Sequence, residues 1–279
     1  MNPVIFLFSL ALVWMTFAVV QDLRKREIAN WLNFSLIVFV MGFRLMYSIF
    51  SSDDLNFFFQ GLLGLGIFFL LGNLLYKVKM FAGGDAKLMI ALGAVLPIYP
   101  LFINNVKFFS AFLFLFLFSG ALYSLFGSIW IASRETTKFK KEFRKQFHLN
   151  KRAIYFSLVI AIIFSLLAYI EYTILFFAIL IFVSPYLYIY AKSVDEACMV
   201  KNVRAKNLTE GDWLYSNVKV GKKIIKANWD GLTKEQIKLI RKHYTTIKVR
   251  YGIPFSPAFL ISFLALIWFW RKGNLGFLF

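Results

Sequence analysis

Apolar runs about twenty residues long recur through most of this chain, and a bilayer is the solvent in which one polypeptide folds around so many of them. Crossing roughly 30 Å of hydrocarbon takes about 20 helical residues. Stretches of that kind fall at 3–21, 31–50, 55–76, 86–103, 108–132, 153–170, 173–191 and 254–270. Hydrophobic residues make up 60% of the 279 positions and charged residues 16%, against about 25% charged in an ordinary globular domain. The expected fold is therefore an all-α polytopic membrane protein with about eight transmembrane helices. The fourth run is short and carries Pro97 and Pro100. Only Glu171 and Tyr172 separate the sixth from the seventh, which also suits a re-entrant pair. No basic region precedes the first run, so it reads as a retained span rather than a signal peptide.

The net charge of +18 fits the same picture. Cytoplasmic loops of membrane proteins collect Lys and Arg, and Arg24, Lys25 and Arg26 directly after the first run put its C-terminal end in the cytoplasm. Alternation then places 22–30, 77–85, 133–152 and 192–253 on the inside; with Lys87 they hold 28 of the 32 Lys and Arg residues. Acidic Ser51-Ser52-Asp53-Asp54 falls outside. Arg44, within the second run, is expected to snorkel or to meet a headgroup. This topology accounts for the charge, so membrane lipids are expected partners and nucleic acid is not.

One long segment is polar. EGDWLYSNVKVGKKIIKANWDG reads as short strands and turns broken at Gly211, Gly221 and Gly231. Thr233 and Gln236 have capping-box spacing ahead of a short basic helix. The chain divides accordingly into a transmembrane bundle at 1–191, a small cytoplasmic α+β insert at 192–253, and a last transmembrane helix with its tail at 254–279. The single cysteine, Cys198, rules out an internal disulfide. His148 and His243 lack a metal-ligand spacing, so neither metal nor cofactor is expected.

Few acids lie beside the spans. Asp22 ends the first run and Asp85 begins the fourth, so the charge-derived topology brings both to one depth on the cytoplasmic side. Two close carboxylates share a proton, which suits them to hydrolyse a peptide bond without a metal: one takes a proton from water while the other assists the carbonyl. Gly83 and Gly84 leave room for a close approach beside Asp85. Each acid also has a plainer reading. Asp85 fits an N-cap, and Asp22 an interfacial acid neutralised by Arg24–Arg26.

At these residues the sequence resembles the prepilin peptidase family, in particular its archaeal preflagellin and prepilin peptidases. The similarity lies in Asp22, the basic Arg24-Lys25-Arg26, Ile28-Ala29-Asn30, and Ala82-Gly83-Gly84-Asp85, which matches a GxGD motif except for alanine at its first glycine. Lys87 with LMIALGAVLP, and RYGIPFSPAFLIS near the end, extend it. The resemblance implies a membrane aspartic endopeptidase with Asp22 and Asp85 as its catalytic pair and Gly83 and Gly84 as supports. Its substrates would be pilin-like or archaellin precursors, cut at the cytoplasmic membrane face. Glu27 is a candidate contact for the basic leader, or equally a partner for its neighbouring arginines. Bacterial relatives carry a tetracysteine zinc segment and methylate the new N-terminus; with one cysteine, cleavage without methylation is expected here.

Two other classes fit parts of the pattern. Pro257-Ala258-Phe259 faintly resembles the motif of presenilin-like and signal-peptide-peptidase-like proteases, although Asp22 follows Gln21 at a span end rather than a tyrosine inside one. Acids near a membrane also mark ion-coupled transporters, yet no internal repeat is visible. A non-enzymatic subunit of a secretion machine is the remaining alternative.

Overall fold

The computed structural model describes residues 2–51, 55–221, 223–229 and 231–273; most of the acidic stretch assigned above to an outside connection, Ser52-Asp53-Asp54, lies outside the described residues. In chain order the helices are α1 (Pro3–Lys25), α2 (Asn30–Phe50), α3 (Asn56–Lys77), α4 (Gly83–Val95), α5 (Phe102–Arg134), α6 (Thr136–Leu149), α7 (Lys151–Leu167), α8 (Thr173–Cys198), α9 (Lys234–His243) and α10 (Ser256–Arg271). The strands are β1 (Val200–Arg204), β2 (Trp213–Leu214), β3 (Val218–Val220), β4 (Lys223–Ile225) and β5 (Thr246–Arg250). Two compact units result, one from Met1–Leu125 with Pro254–Phe279 and the other from Phe126–Ile253.

Among the described residues, α1, α2, α3, α5 and α8 are long and apolar enough to span a membrane, and the bent α6–α7 pair is a sixth candidate. The sequence led us to expect about eight. The difference arises because three expected runs fall on shorter helices: α4 has 13 residues, α7 has 17 and α10 has 16. At 1.5 Å per residue α4 is only about 20 Å long. The proline-bearing part of its run, from Leu96 onward, forms a turn instead.

In the first unit α4 is wrapped on nearly every side. Ala86, Leu88, Met89, Ala91, Leu92, Gly93, Ala94 and Val95 are all buried, so the helix shows no polar face. Helix α3 reaches it through glycines. A methyl on Gly64 would lie 2.3 Å from the Gly93 carbonyl oxygen, and one on Gly93 would lie 2.4 Å from Cβ of Phe68. Small residues permit this backbone approach, the usual way helices associate where lipid supplies no hydrophobic drive. Phe108, Phe112 and Phe116 of α5 and Phe259 and Phe263 of α10 complete the core.

A helix ending inside the bundle leaves its last carbonyls without intrahelical partners, and within a membrane each must be satisfied by protein. Arg44 does this. Its Nε donates to Ala94 O at 2.9 Å, Nη1 to Phe57 O at 2.8 Å, and Nη2 to Val95 O at 3.1 Å and to Pro97 O. The guanidinium also lies 4.3 Å from the Phe57 ring centre. The residue is fully buried, which corrects the expectation that it snorkels. The fork-shaped head finds carbonyls and the negative end of the α4 dipole closer than any headgroup. Gly61 makes the room, since a methyl there would lie 2.5 Å from Arg44 Cδ. Buried Asn105 then fixes the following turn, accepting from Ile98 N and Tyr99 N and donating to Gln60 Oε1 and Tyr99 O.

In the second unit α6 and α7 meet at 66°, and α6 is basic, with Phe139 stacking edge-on to Tyr190 of α8. The polar insert has its own core, including Leu214, Val220, Ile237, Ile240, Ile247 and Val249. Strands β1, β5 and β2 form an antiparallel sheet in that order, and β3–β4 is a hairpin. Gly211, Gly221 and Gly231 all take positive φ, as breakers do. The capping box of α9 is present, with Thr233 and Gln236 each accepting from the other's backbone. Arg250 of β5 ties the sheet to the end of α8 through Asp195 at 3.0 Å and Glu196 at 3.1 Å.

Replacing Arg44 by Met removes its hydrogen bonds to four carbonyl oxygens and strands those at the end of α4. At about 1.5–3 kcal/mol for a charge-assisted bond, it lowers the unfolding midpoint of the detergent-solubilised protein by several degrees or more. Arg44→Lys keeps the charge but not the fork and also loses stability. Gly93→Ala costs about 1–3 kcal/mol through overpacking. Gly66→Ala, with nothing within 4 Å of its new methyl, is neutral or stabilising. Equal midpoints for the two glycine variants refute the α3–α4 packing.

Candidate active site

Asp22 belongs to the inward stripe of α1. Leu7, Ala11, Met15, Ala18 and Asp22 are spaced by three or four residues and are all buried, so the helical period that seats the apolar side chains also turns this acid inward. Its neighbours Arg24, Lys25, Arg26 and Glu27 are exposed. Arg26 ends the helix in the left-handed conformation at φ 57°, donating its N–H to Asp22 O at 2.8 Å.

Asp85 is the third residue of α4, behind an N-cap at Ala82. The simple N-cap reading is therefore displaced by three positions: Ala82 is the N-cap, and Asp85 lies in the first turn, where the helix N-terminus favours its charge. Ala82 stands exposed in extended backbone at φ −70° and ψ 160°, so the methyl that departs from the glycine motif points where nothing crowds it. The two motif glycines differ. A methyl on Gly83 would only touch the Tyr76 ring at 3.9 Å, whereas one on Gly84 would lie 3.1 Å from Ile28 Cβ and 3.4 Å from Ile28 N.

That contact belongs to a larger clasp between the two halves of the motif. Ile28 is buried beside Gly84. Lys87 Nζ donates to Asn30 Oδ1 at 2.6 Å, and Asn33 Nδ2 donates to Gly84 O at 3.3 Å. Gln21 Oε1 accepts from Ala29 N at 3.0 Å, closing the turn out of α1. The short segment after Asp22 is thus bound to the segment that carries Asp85, and the charge of Asp22 acts on Asp85.

One participant escaped the sequence reading. The backbone N–H of Ser256, at the start of α10, donates to Asp22 Oδ2 at 3.1 Å in a buried setting. The signal was Ser256-Pro257 before an apolar run, a helix-start pattern, but nothing in the sequence says which acid that helix end faces. Each acid therefore sits at the positive end of a helix, Asp22 at α10 and Asp85 at α4, where a negative charge is favoured. This offsets part of their mutual repulsion. Tyr123 of α5 also lies within the field of Asp22. Glu27 is exposed in the turn after α1. Among the described residues no cluster of three or more metal-ligating side chains occurs.

Residues 9–129 match the profile of the type IV leader peptidase family, a segment that contains both acids. A preflagellin peptidase of Methanocaldococcus jannaschii is 30% identical over 98 residues, covering 35% of this chain and 41% of that protein. One from Methanococcus maripaludis is 36% identical over 80 residues, covering 29% and 34%. The chain thus spans about two fifths or less of the length of these curated relatives. No solved structure matches it. These matches support the resemblance to prepilin and preflagellin peptidases drawn from the motifs.

Gly84→Val drives a branched side chain into Ile28 and separates the two motif halves, lowering the unfolding midpoint. Gly83→Ala holds it or raises it slightly, since alanine is favoured in a helix by up to about 1 kcal/mol. Midpoints of the two purified variants in the same detergent decide the point; equal losses show that Gly84 has no special contact.

Proposed function

We propose, from a membrane bundle whose residues 9–129 match the leader peptidase family, that this chain is an aspartic endopeptidase with Asp22 and Asp85 as its catalytic pair. The observation that carries the reading is that two acids over sixty residues apart sit on segments joined in one clasp of Ile28, Asn30, Asn33, Gly84 and Lys87, with Asp22 accepting from the N-terminus of α10 and Asp85 on the first turn of α4.

In this reading the pair shares one proton between its carboxylates. The ionised acid removes a proton from a water as its oxygen attacks the scissile carbonyl carbon. The protonated acid donates to the carbonyl oxygen. Collapse of the tetrahedral intermediate breaks the carbon–nitrogen bond, and a carboxyl supplies the proton that the departing amine takes up. Nothing beyond water enters the balance, so no cofactor is invoked. The substrates are pilin-like or archaellin precursors whose short basic leader precedes a hydrophobic helix. That helix lies in the bilayer and leaves the leader junction at the cytoplasmic face, the side that the distribution of Lys and Arg assigns to both acids. Glu27, exposed one turn after Asp22, offers the basic leader an acidic contact. Cleavage proceeds without methylation of the new N-terminus.

Incubating the purified protein with a panel of archaellin and pilin precursors, followed by mass spectrometry of the products, tests the reading. One precursor class loses its leader at a single bond. Asp22→Asn and Asp85→Asn each reduce the rate by at least about a thousandfold, as loss of one member of a catalytic unit does, with unfolding midpoints close to the parent's. Cleavage that survives either substitution removes that residue from the pair.

A further inference from the structure

Buried polar side-chain atoms almost always have a hydrogen-bond partner, and one that lacks it calls for a reason. Among the described residues four such atoms lack one: Asn33 Oδ1, Ser48 Oγ, Arg250 Nε and Ser256 Oγ. Two of these four belong to the surroundings of the acid pair. Asn33 donates through Nδ2 to the carbonyl of Gly84, next to Asp85, and Ser256 donates its backbone N–H to Asp22 Oδ2 at 3.1 Å. Both residues are closed to solvent, at 1% and 0% exposure. The Asn33 side chain already has a task in the clasp. The Ser256 hydroxyl has none.

Its place in α10 explains why it is free. A buried serine inside a helix turns its hydroxyl back onto a carbonyl three or four residues earlier, as Ser157 does to Ile154 O, Ser193 to Ile189 O and Ser262 to Phe259 O. Ser256 is the first residue of α10, so no helical carbonyl precedes it at that distance. Covalent geometry keeps the hydroxyl no more than a few ångströms farther from Asp22 than the N–H that binds the carboxylate.

Hydrolysis gives such a hydroxyl a task. The attacking water carries two hydrogens, and its lone pair is held towards the carbonyl carbon when both have acceptors. An ionised carboxylate takes one of them. A serine oxygen accepts as well as donates, and the oxygen of Ser256 has its lone pairs unengaged beside Asp22. We propose that the Ser256 hydroxyl orients the attacking water at Asp22, which makes Asp22 the acid that takes the proton of that water. The proposal rests on the aspartic-peptidase reading and deepens it. As the new oxygen–carbon bond forms, one hydrogen of the water passes to the Asp22 carboxylate. The other stays on the attacking oxygen, held by Ser256 Oγ. Asp85 gives its proton to the carbonyl oxygen, and the serine keeps its own.

The test measures kcat, KM and the unfolding midpoint of the full chain in detergent micelles, with a cleaved precursor from the panel as substrate. Ser256→Ala keeps the N–H on Asp22 and removes only the hydroxyl. It lowers kcat by about ten- to hundredfold, the usual effect of losing one hydrogen bond to a reacting atom. KM is unchanged, and the midpoint stays equal or rises because an unsatisfied buried hydroxyl is gone. Ser256→Thr, which keeps a hydroxyl, recovers most of kcat. If its extra methyl lowers the midpoint, Ser256→Gly takes its place and loses kcat as Ser256→Ala does. A parental kcat in Ser256→Ala or Ser256→Gly, or a kcat that falls only together with the midpoint, overturns the orienting role. Cleavage by the parent that Asp22→Asn abolishes then still sustains the peptidase. A parent that cleaves no precursor overturns both.

Discussion

Arg44 gathers the carbonyls of Phe57, Ala94, Val95 and Pro97 around one guanidinium, and the placement of α4 depends on it. A 13-residue helix cannot cross the hydrocarbon, so one end must stop where no water can reach. Unsatisfied carbonyls at that depth would cost several kcal/mol each. With the C-terminal end held, the N-terminal end is fixed by the helix's own rigidity, and Asp85 is carried on its first turn. The glycine contacts with α3 set the rotation of α4 and the clasp with Ile28 and Asn30 sets its height. Three weak devices thus define one carboxylate from both ends of its helix.

The electrostatics of the pair follow from the same economy of parts. Two acids close together repel, and removal from water penalises charge further. The side chains of Arg24 and Lys25 are exposed rather than turned inward. Relief comes instead from backbone, through the N-termini of α10 and α4. Backbone dipoles moderate charge without neutralising an acid outright, an intermediate condition that suits the proton-sharing pair proposed above.

Much of this was legible beforehand where local rules govern. The period of three and four that runs from Leu7 to Asp22 belongs to any amphipathic helix, and the turn into α9 was visible as Thr233 and Gln236. Gly211, Gly221 and Gly231 stood out because positive φ admits few other residues. The strands β1 and β5 passed unnoticed, since VKNVR and TIKVR are short and their pairing joins residues about fifty apart. Arg44 was misjudged for a related reason: an arginine in an apolar run has two outlets, lipid headgroup or buried carbonyl, and a helix end contributed from another part of the chain decides between them.

The sequence by itself determined that the chain lives in a membrane, which of its segments are basic, and that two acids stand beside apolar runs, one after the first and one before the fourth, because these depend on composition and counting along one dimension. Only the tertiary structure decided that Ser256 faces Asp22, that Lys87 meets Asn30, and that Gly84 rather than Gly83 is sterically required. Those are contacts between segments tens to hundreds of residues apart. The free energy that selects them is shared among packing, hydrogen bonds and excluded volume, and no single position along the chain records it.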